Sequence, residues 1–148
     1  MRDLHLHDFY RDCARILLLL LSTFPQRAPL YVEDLIDPEP ADEFGLPSRR
    51  HTSAFAAMLW LAEEGWLRFD ETIRQDGIER AVLTRTAFVA LFAVDANPAH
   101  DGTPLAAALE AAVRQGSSSK IQTLMERLLS EFPHPIVVGP RLGRVDSV

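Results

Sequence analysis

The feature that most constrains this chain is a helical segment that has to stop at Gly65 and is followed at once by residues patterned for a β-hairpin. Ser48 is a good N-cap for this helix. The apolar residues that follow share one helical face: Phe55, Met58, Leu59 and Ala62. Gly65 supplies a left-handed stop. The pattern predicts a helix from Arg49 to Glu64.

The residues after this helix indicate a hairpin and a further helix. The run Trp66–Phe69 alternates apolar and polar residues, Asp76-Gly77 is a strong turn signal, and Ile78–Leu83 supplies a partner strand. Thr84 can cap a helix over Arg85–Val94. We expect four of its residues to face the core: Ala87, Phe88, Leu91 and Phe92.

Two helices are predicted before Ser48. An apolar stripe at three- and four-residue steps predicts a first helix that Asp8 caps and Pro25 ends. Its members are Phe9, Cys13, Ile16, Leu17, Leu20, Leu21 and Phe24. The stretch Leu30–Ile36 is interpreted as a short helix. Pro38, Pro40, Gly45 and Pro47 then indicate an acidic, exposed loop.

The part of the chain after Val94 divides into three segments. Residues 95–103 are interpreted as a linker, residues 104–131 as a pair of helices and residues 132–148 as an extended tail. The first helix of the pair ends at Gly116, and Ser117–Ser119 can cap the second. The second helix is expected to bury Ile121, Leu124, Met125 and Leu128.

The order helix, short helix, helix ending in glycine, hairpin, helix resembles the winged helix-turn-helix superfamily. The resemblance is carried by LWLAEEGWLRF at Leu59–Phe69 and VLTRT at Val82–Thr86. Leu61, Glu64, Gly65 and Trp66 match the phrase that commonly leads the third helix of that family into the first wing strand. Leu83 and Thr84 match the phrase that leads the second wing strand into a capped helix. The resemblance implies a mainly α fold with a small β-hairpin: a winged-helix domain over residues 1–94 plus a C-terminal helical extension.

Two features depart from the family pattern. Ala87 stands where the second phrase usually has glycine. The connection between the predicted second and third helices has about eleven residues, whereas a helix-turn-helix usually makes this join in three or four. An insertion at this point does not prevent a winged-helix core.

The resemblance implies that the start of the third helix enters a DNA major groove and that the wing contacts the backbone. The residues at those positions are Ser48, Arg49, Arg50, His51, Thr52 and Ser53 on the helix, and Arg74, Gln75 and Arg80 on the hairpin. Arginine suits both tasks because its planar guanidinium binds guanine or phosphate at two points. The leading hypothesis is therefore a DNA-binding transcriptional regulator that is not an enzyme and binds double-stranded DNA as a homodimer.

Charge supports a competing hypothesis. Ser48–Arg85 contains six arginines and six acidic residues, and the acidic loop before Ser48 would repel phosphate. An alternative is a protein-interaction subunit without sequence-specific DNA binding, which resembles the winged-helix accessory subunits of condensin-like complexes. The C-terminal helical pair either mediates dimerisation or packs back on the core.

Several function classes are disfavoured. The chain has 148 residues and a single cysteine, Cys13, so no intramolecular disulfide can form. Its longest apolar run, Ile16–Leu21, is too short to cross a membrane, and Met1–Asp8 lacks signal-peptide features, so a cytoplasmic location is expected. No motif indicates a catalytic centre, a cofactor or a metal. The His5 and His7 pair lacks the paired spacing of a zinc site.

Overall fold

A computed structural model describes residues 3–37, 43–94 and 102–131 of the chain. It is mainly helical, with a small antiparallel sheet. The helices are α1 (Asp3–Thr23), α2 (Arg49–Glu63), α3 (Arg85–Phe92), α4 (Leu105–Gln115) and α5 (Ser118–Glu131). The strands are β1 (Ala28–Tyr31), β2 (Leu67–Arg68), β3 (Thr72–Ile73) and β4 (Gly77–Leu83), and a 3-10 turn, Val32–Asp34, follows β1. The predicted tail and most of the predicted linker lie outside the described residues.

Helix α1 lies at the centre of the core. Cys13, Ile16, Leu17 and Leu20 are buried, as the apolar stripe predicted, and α1 packs against α2, α4, α5 and β4. The predicted start of the helix is wrong. Asp8 lies inside α1 and does not cap it, because no glycine or proline interrupts the residues between Asp3 and Asp8 and the helix continues toward the N-terminus.

The predicted short helix at Leu30–Ile36 is also wrong in its first part. Leu30 and Tyr31 belong to strand β1, where they pair with Ile78 and Gly77 of β4. Only Val32–Asp34 turns helically, and Val32 is buried. A short apolar run does not distinguish helix from strand by its periodicity, and here the edge of β4 provides hydrogen-bond partners that favour the strand.

Helix α2 agrees with its predicted bounds to within one residue, and Gly65 has the left-handed backbone expected of the stop, with φ of 85°. Its buried face is rotated from the predicted one. The buried residues are Ala54, Ala57, Met58 and Leu61, whereas Phe55, Leu59 and Ala62 are half-buried. The small side chains of Ala54 and Ala57 let neighbouring elements approach α2 closely, which a pattern based on the larger apolar residues overlooks.

The hairpin has three short strands rather than two. Leu67 of β2 pairs with Leu83, and Thr72 of β3 pairs with Ile78, so that β4 runs along both strands on one side and along β1 on the other. The turn is not at Asp76-Gly77. The Asp76 amide donates to the Ile73 carbonyl at 2.9 Å, and Gly77 already belongs to the ladder.

Helix α3 begins as predicted, because the Thr84 hydroxyl accepts a hydrogen bond from the Ala87 amide at 3.3 Å. Ala87 and Leu91 are buried, and Phe88 is half-buried. The helix ends at Phe92 rather than Val94, and the side chain of Phe92 is exposed instead of facing the core. Ala90 takes the predicted place of Phe92 in the core, since residues 87, 90 and 91 are on one side of a helix.

The C-terminal helical pair packs back on the core. Gly116 ends α4 in the left-handed conformation, and the Ser117 hydroxyl accepts from the Lys120 amide at the start of α5. Both helices pack against α1. The four predicted core residues of α5 are buried: Ile121, Leu124, Met125 and Leu128. They belong to the same hydrophobic cluster as the core of α1, α2 and the sheet.

The longest described helix, α1, has 21 residues and carries charged residues along its first half. Across residues 3–37, 43–94 and 102–131, no helix combines the length and the apolar content that crossing a lipid bilayer would require.

Gly77 is where strands β1 and β4 approach most closely. A Cβ added there would lie 2.4 Å from the Leu30 carbonyl oxygen, which is a backbone atom that cannot rotate away. We expect Gly77→Ala to lower the free energy of unfolding by about 1–3 kcal/mol, the usual range for overpacking. Chemical denaturation of the full chain measures this change. The control is Glu79→Ala in the same strand, because the Glu79 side chain is exposed and its truncation adds no atom between β1 and β4. An equal loss in both variants would contradict the prediction.

Candidate nucleic-acid interface

Ser48 organises the start of α2. Its backbone is extended, and its Oγ accepts a hydrogen bond from the His51 amide at 3.0 Å. This bond satisfies one of the amides that the first turn of a helix leaves without an intrahelical partner. Thr52 donates from Oγ1 to the Ser48 carbonyl at 3.1 Å. The predicted cap is therefore confirmed, and both hydroxyls contribute to the first turn of the helix.

Arg50 links the first turn of α2 to the middle of α1. Its guanidinium contacts both oxygens of the Asp12 carboxylate, at 2.7 Å from Nη1 and 2.6 Å from Nη2. Its Nε lies 3.6 Å from a carboxylate oxygen of Asp8. Asp12 is fully buried, and a two-point guanidinium contact is the strongest partner a buried carboxylate can have. The donors of Arg50 are thus engaged within the chain.

His51, the next residue, links α2 to the tip of the hairpin. Its Nε2 lies 2.9 Å from the Gln75 carbonyl oxygen and 3.4 Å from Oδ1 of Asp76. Because a carbonyl oxygen only accepts, Nε2 carries the hydrogen in this contact. The hairpin tip is therefore attached to the first turn of α2.

A concavity of about 560 Å³ lies between the start of α2 and the hairpin tip. Ser48 and His51 line it from the helix, and Arg74, Gln75 and Asp76 line it from the turn. Arg74 has a left-handed backbone, with φ of 51°, and its side chain is exposed. The structure thus brings four predicted site residues around one hollow, together with the carboxylate of Asp76.

Arg80 lies away from this hollow, at an irregularity in the pairing of β4 with β1. It also has a left-handed backbone, with φ of 53°. Its Nε donates to Asp70 Oδ2 at 2.8 Å, and Arg27 lies 3.8 Å from the other oxygen of the same carboxylate. Arg80 therefore belongs to a separate cluster of ion pairs on the strands.

The exposed face of α2 carries Arg49, Thr52, Ser53 and Ala56. Ser53 and Ala56 also line a second concavity, of about 490 Å³, which α1 completes with Leu6 and Phe9. The Phe9 ring packs edge-to-face on Trp60 at 5.3 Å between centroids. Arg49 thus projects from a strip of small residues, with the hairpin on the His51 side and α1 on the Arg50 side.

Sequence reasoning missed the two carboxylates that bind predicted site residues. Asp12 interrupts the apolar stripe of α1 directly before Cys13, and a charged residue at such a position is the signal that a buried partner exists. Asp76 was interpreted only as a turn residue. No pattern in the sequence pairs Asp12 with Arg50 or Asp76 with His51, because each contact joins elements that are distant along the chain.

The side chains that could bind a metal, react as a thiolate or stack on a ligand are the other candidates for chemistry in this chain. Burial raises the pKa of the Cys13 thiol well above its usual value, and the neighbouring Asp12 charge acts in the same direction, so the reactive thiolate is disfavoured. Trp66 is buried in the hydrophobic core. Within the described ranges, no group of three His, Cys, Asp or Glu side chains has an arrangement that could hold a metal ion.

Comparison of the chain with protein-family models, with curated proteins and with solved structures gives no match. The resemblance to winged helix-turn-helix proteins therefore depends on the residues and geometry of this chain alone.

The Asp12–Arg50 contact makes a testable contribution to stability. Removing one partner of a buried ion pair typically costs about 3–5 kcal/mol, because the other charge stays buried without compensation. We expect Arg50→Ala to lower the free energy of unfolding by an amount in this range, measured by chemical denaturation. The double variant Asp12→Leu with Arg50→Met removes both charges and should be much less destabilising.

Arg11→Ala is the matched control for this experiment. Arg11 also lies on α1, but it contacts the part-exposed Asp8 at 3.9 Å and donates to Ser118 Oγ at 3.3 Å. A pair of this kind is worth at most about 1 kcal/mol. If Arg50→Ala lowered the free energy of unfolding no more than Arg11→Ala does, the predicted contribution of the buried pair would be wrong.

Proposed function

We propose that this chain has a winged helix-turn-helix core and acts as a DNA-binding transcriptional regulator without enzymatic activity. In this proposal the first turns of α2 enter the major groove, and the loop between β3 and β4 contacts the phosphate backbone. Arg49 and Thr52 face the bases, and Arg74 and Gln75 face the backbone.

The local geometry of the two segments that carry the resemblance, Leu59–Phe69 and Val82–Thr86, supports this core. Gly65 ends α2 and leads through Trp66 into β2, and Thr84 follows β4 directly and caps α3. The two positions are also bonded to each other, because the Thr84 hydroxyl donates to the Gly65 carbonyl at 2.7 Å. The order of helix, hairpin and capped helix is the order that the resemblance implies.

The observation that carries the proposal is the contact between His51 and the Gln75 carbonyl at 2.9 Å. It holds the hairpin loop, which carries the exposed Arg74, beside the start of α2, which carries the exposed Arg49. A groove-reading helix needs such a neighbour, because contacts with phosphate set the register in which side chains meet base edges.

The charges of this region predict modest binding that depends only weakly on salt. Arg50 and Arg80 are engaged with Asp12 and Asp70, so Arg49 and Arg74 are the principal cations offered to DNA. Asp76 beside the loop opposes them in part. Affinity for DNA depends strongly on neutralising phosphates, and two cations give a shallow dependence of the binding constant on salt.

A second candidate function is a protein-interaction subunit that uses the same core to bind a protein without sequence-specific DNA contact. The specific observation in its favour is that Val89, Phe92 and Val94 are large apolar residues exposed to solvent within one short segment. Exposed apolar patches commonly mark protein contacts. Stable co-purification of a defined protein partner from nuclease-treated extract, with no shift of duplex DNA, would favour this candidate.

The DNA proposal is tested with the full chain and a random-sequence duplex in fluorescence anisotropy across a range of salt concentrations. We expect the variant combining Arg49→Ala with Arg74→Ala to bind at least about tenfold more weakly, and the slope of log K against log salt to decrease by about one, for the lost phosphate contact of Arg74. Arg50 is left intact because its replacement would disturb the fold.

Arg114→Ala serves as the control for loss of positive charge outside the interface, since Arg114 is an exposed residue in the last turn of α4. This variant loses one positive charge without any change in α2 or the hairpin. Its affinity for the duplex should therefore stay close to that of the natural chain. Absence of binding by the natural chain even at low salt, or an equal loss in the control, would refute the proposed interface.

A further inference from the structure

Helix α3 is apolar on two opposite sides. Ala87, Ala90 and Leu91 face the core and are buried. On the other side, Val89 is 57% exposed and Phe92 is 51% exposed. A helix that is hydrophobic all round is normally buried. The outer side of α3 therefore has the composition of a surface that another molecule covers.

The exposed side of α3 continues into neighbouring residues. Phe88 stacks on Phe24 with ring centroids 4.5 Å apart, and it contacts Phe92 at 5.1 Å. Val94, just beyond the helix, is also exposed. We call the set Phe24, Phe88, Val89, Phe92 and Val94 the α3 patch. The other large apolar residues with exposed side chains in the described chain are Leu6, Leu19, Phe44 and Leu46.

The C-terminal helices do not offer an equivalent surface. The apolar residues of α5 are buried except Leu129, which is half-buried, and both α4 and α5 pack against α1. A contact between copies of this chain through the apolar faces of the C-terminal pair would require that packing to open, whereas the α3 patch is accessible as it stands.

The charges at the two ends of α3 indicate what covers the patch. Arg85 is exposed in the first turn, and the last turn contains no basic residue that would offset the partial negative charge of the helix C-terminus. If two copies of α3 pack antiparallel, each Arg85 comes to the C-terminal end of the other helix. An eight-residue helix is about 12 Å long, so both ends meet at once when the helices cross near Val89.

We propose that a second copy of this chain covers the α3 patch, in a symmetric antiparallel pairing of the two α3 helices. The centre of the patch is apolar and uncharged, so it fits its own image across a two-fold axis. Such a surface is small compared with the roughly 800 Å² that each partner contributes to a standard interface, and the dimer is correspondingly weak. The proposal does not depend on DNA binding.

Sedimentation of the full chain over a wide concentration range tests the pairing. The natural chain is expected to shift from monomer toward dimer as concentration rises, and Phe92→Glu is expected to stay monomeric because the pairing would bury its charge. Leu6→Glu is the matched control, because Leu6 is 41% exposed and lies near the opposite end of α1 from Phe24. Its dimerisation should equal that of the natural chain.

Arg85→Glu separates pairing from folding. An acidic residue in the first turn of a helix is favourable for that helix, so thermal unfolding of the monomer should be unchanged or slightly improved. The same change places a negative charge at the C-terminus of the other copy's α3, twice in a symmetric dimer. We expect the dimer to weaken by about tenfold. Weaker pairing with intact folding supports the proposal, and unchanged pairing contradicts it.

Cross-linking locates the contact. The chain has one native cysteine, and Cys13 is buried, so Val89→Cys introduces an accessible thiol at the predicted crossing point. Under mild oxidation we expect a covalent dimer from Val89→Cys and far less from Leu6→Cys. A chain that stays monomeric at every concentration, or that cross-links equally through both positions, would overturn the proposal. That result would leave the DNA-binding experiment unaffected.

Discussion

The ion pair between Asp12 and Arg50 fixes the position of the candidate interface. A carboxylate placed inside the apolar stripe of α1 is strongly unfavourable unless a cation meets it with good geometry. The guanidinium of Arg50 meets both carboxylate oxygens, and its planar shape permits little variation in orientation. The first turn of α2 is therefore held at one place along α1. Such a pair contributes more to this fixed arrangement than to net stability, because burying both charges costs about as much as their attraction returns.

The neighbouring residue provides the second point of attachment. Successive residues of a helix point about 100° apart, so Arg50 and His51 contact two different elements, α1 and the hairpin tip. The remaining side of the helix presents Arg49 and Thr52 to solvent. The hairpin is positioned in turn by β4, which pairs with β1 beside it and needs Gly77 for the close approach of Leu30. The exposed strip of α2 is thus defined by contacts on both of its flanks.

Local signals in the sequence were sufficient where one residue determines the conformation. Ser48, Gly65, Thr84 and Gly116 each act on their own turn of chain, and the helix ends they predicted agree with the structure. The predictions that failed depended on distant partners. Leu30 became a strand residue because β4 lies beside it, and Phe92 faced solvent because Ala90 filled the core position. The engagement of Arg50 by Asp12 follows from the packing of α1 on α2, which a local pattern does not contain.

The small number of exposed cations at the candidate interface and the exposed apolar side of α3 are connected through dimerisation. Under the proposed function, a single copy offers DNA few cations beyond Arg49 and Arg74, because Arg50 binds the buried Asp12 and Arg80 pairs with Asp70, and contact with so few phosphates would give weak binding. Pairing through α3 would join two such weak sites, and the second contact would then occur at the high effective concentration set by the first. A weak dimer and a weak single site together can give binding that neither gives alone. On this reasoning, the affinity of the chain for DNA should depend on its own concentration more steeply than one independent site allows.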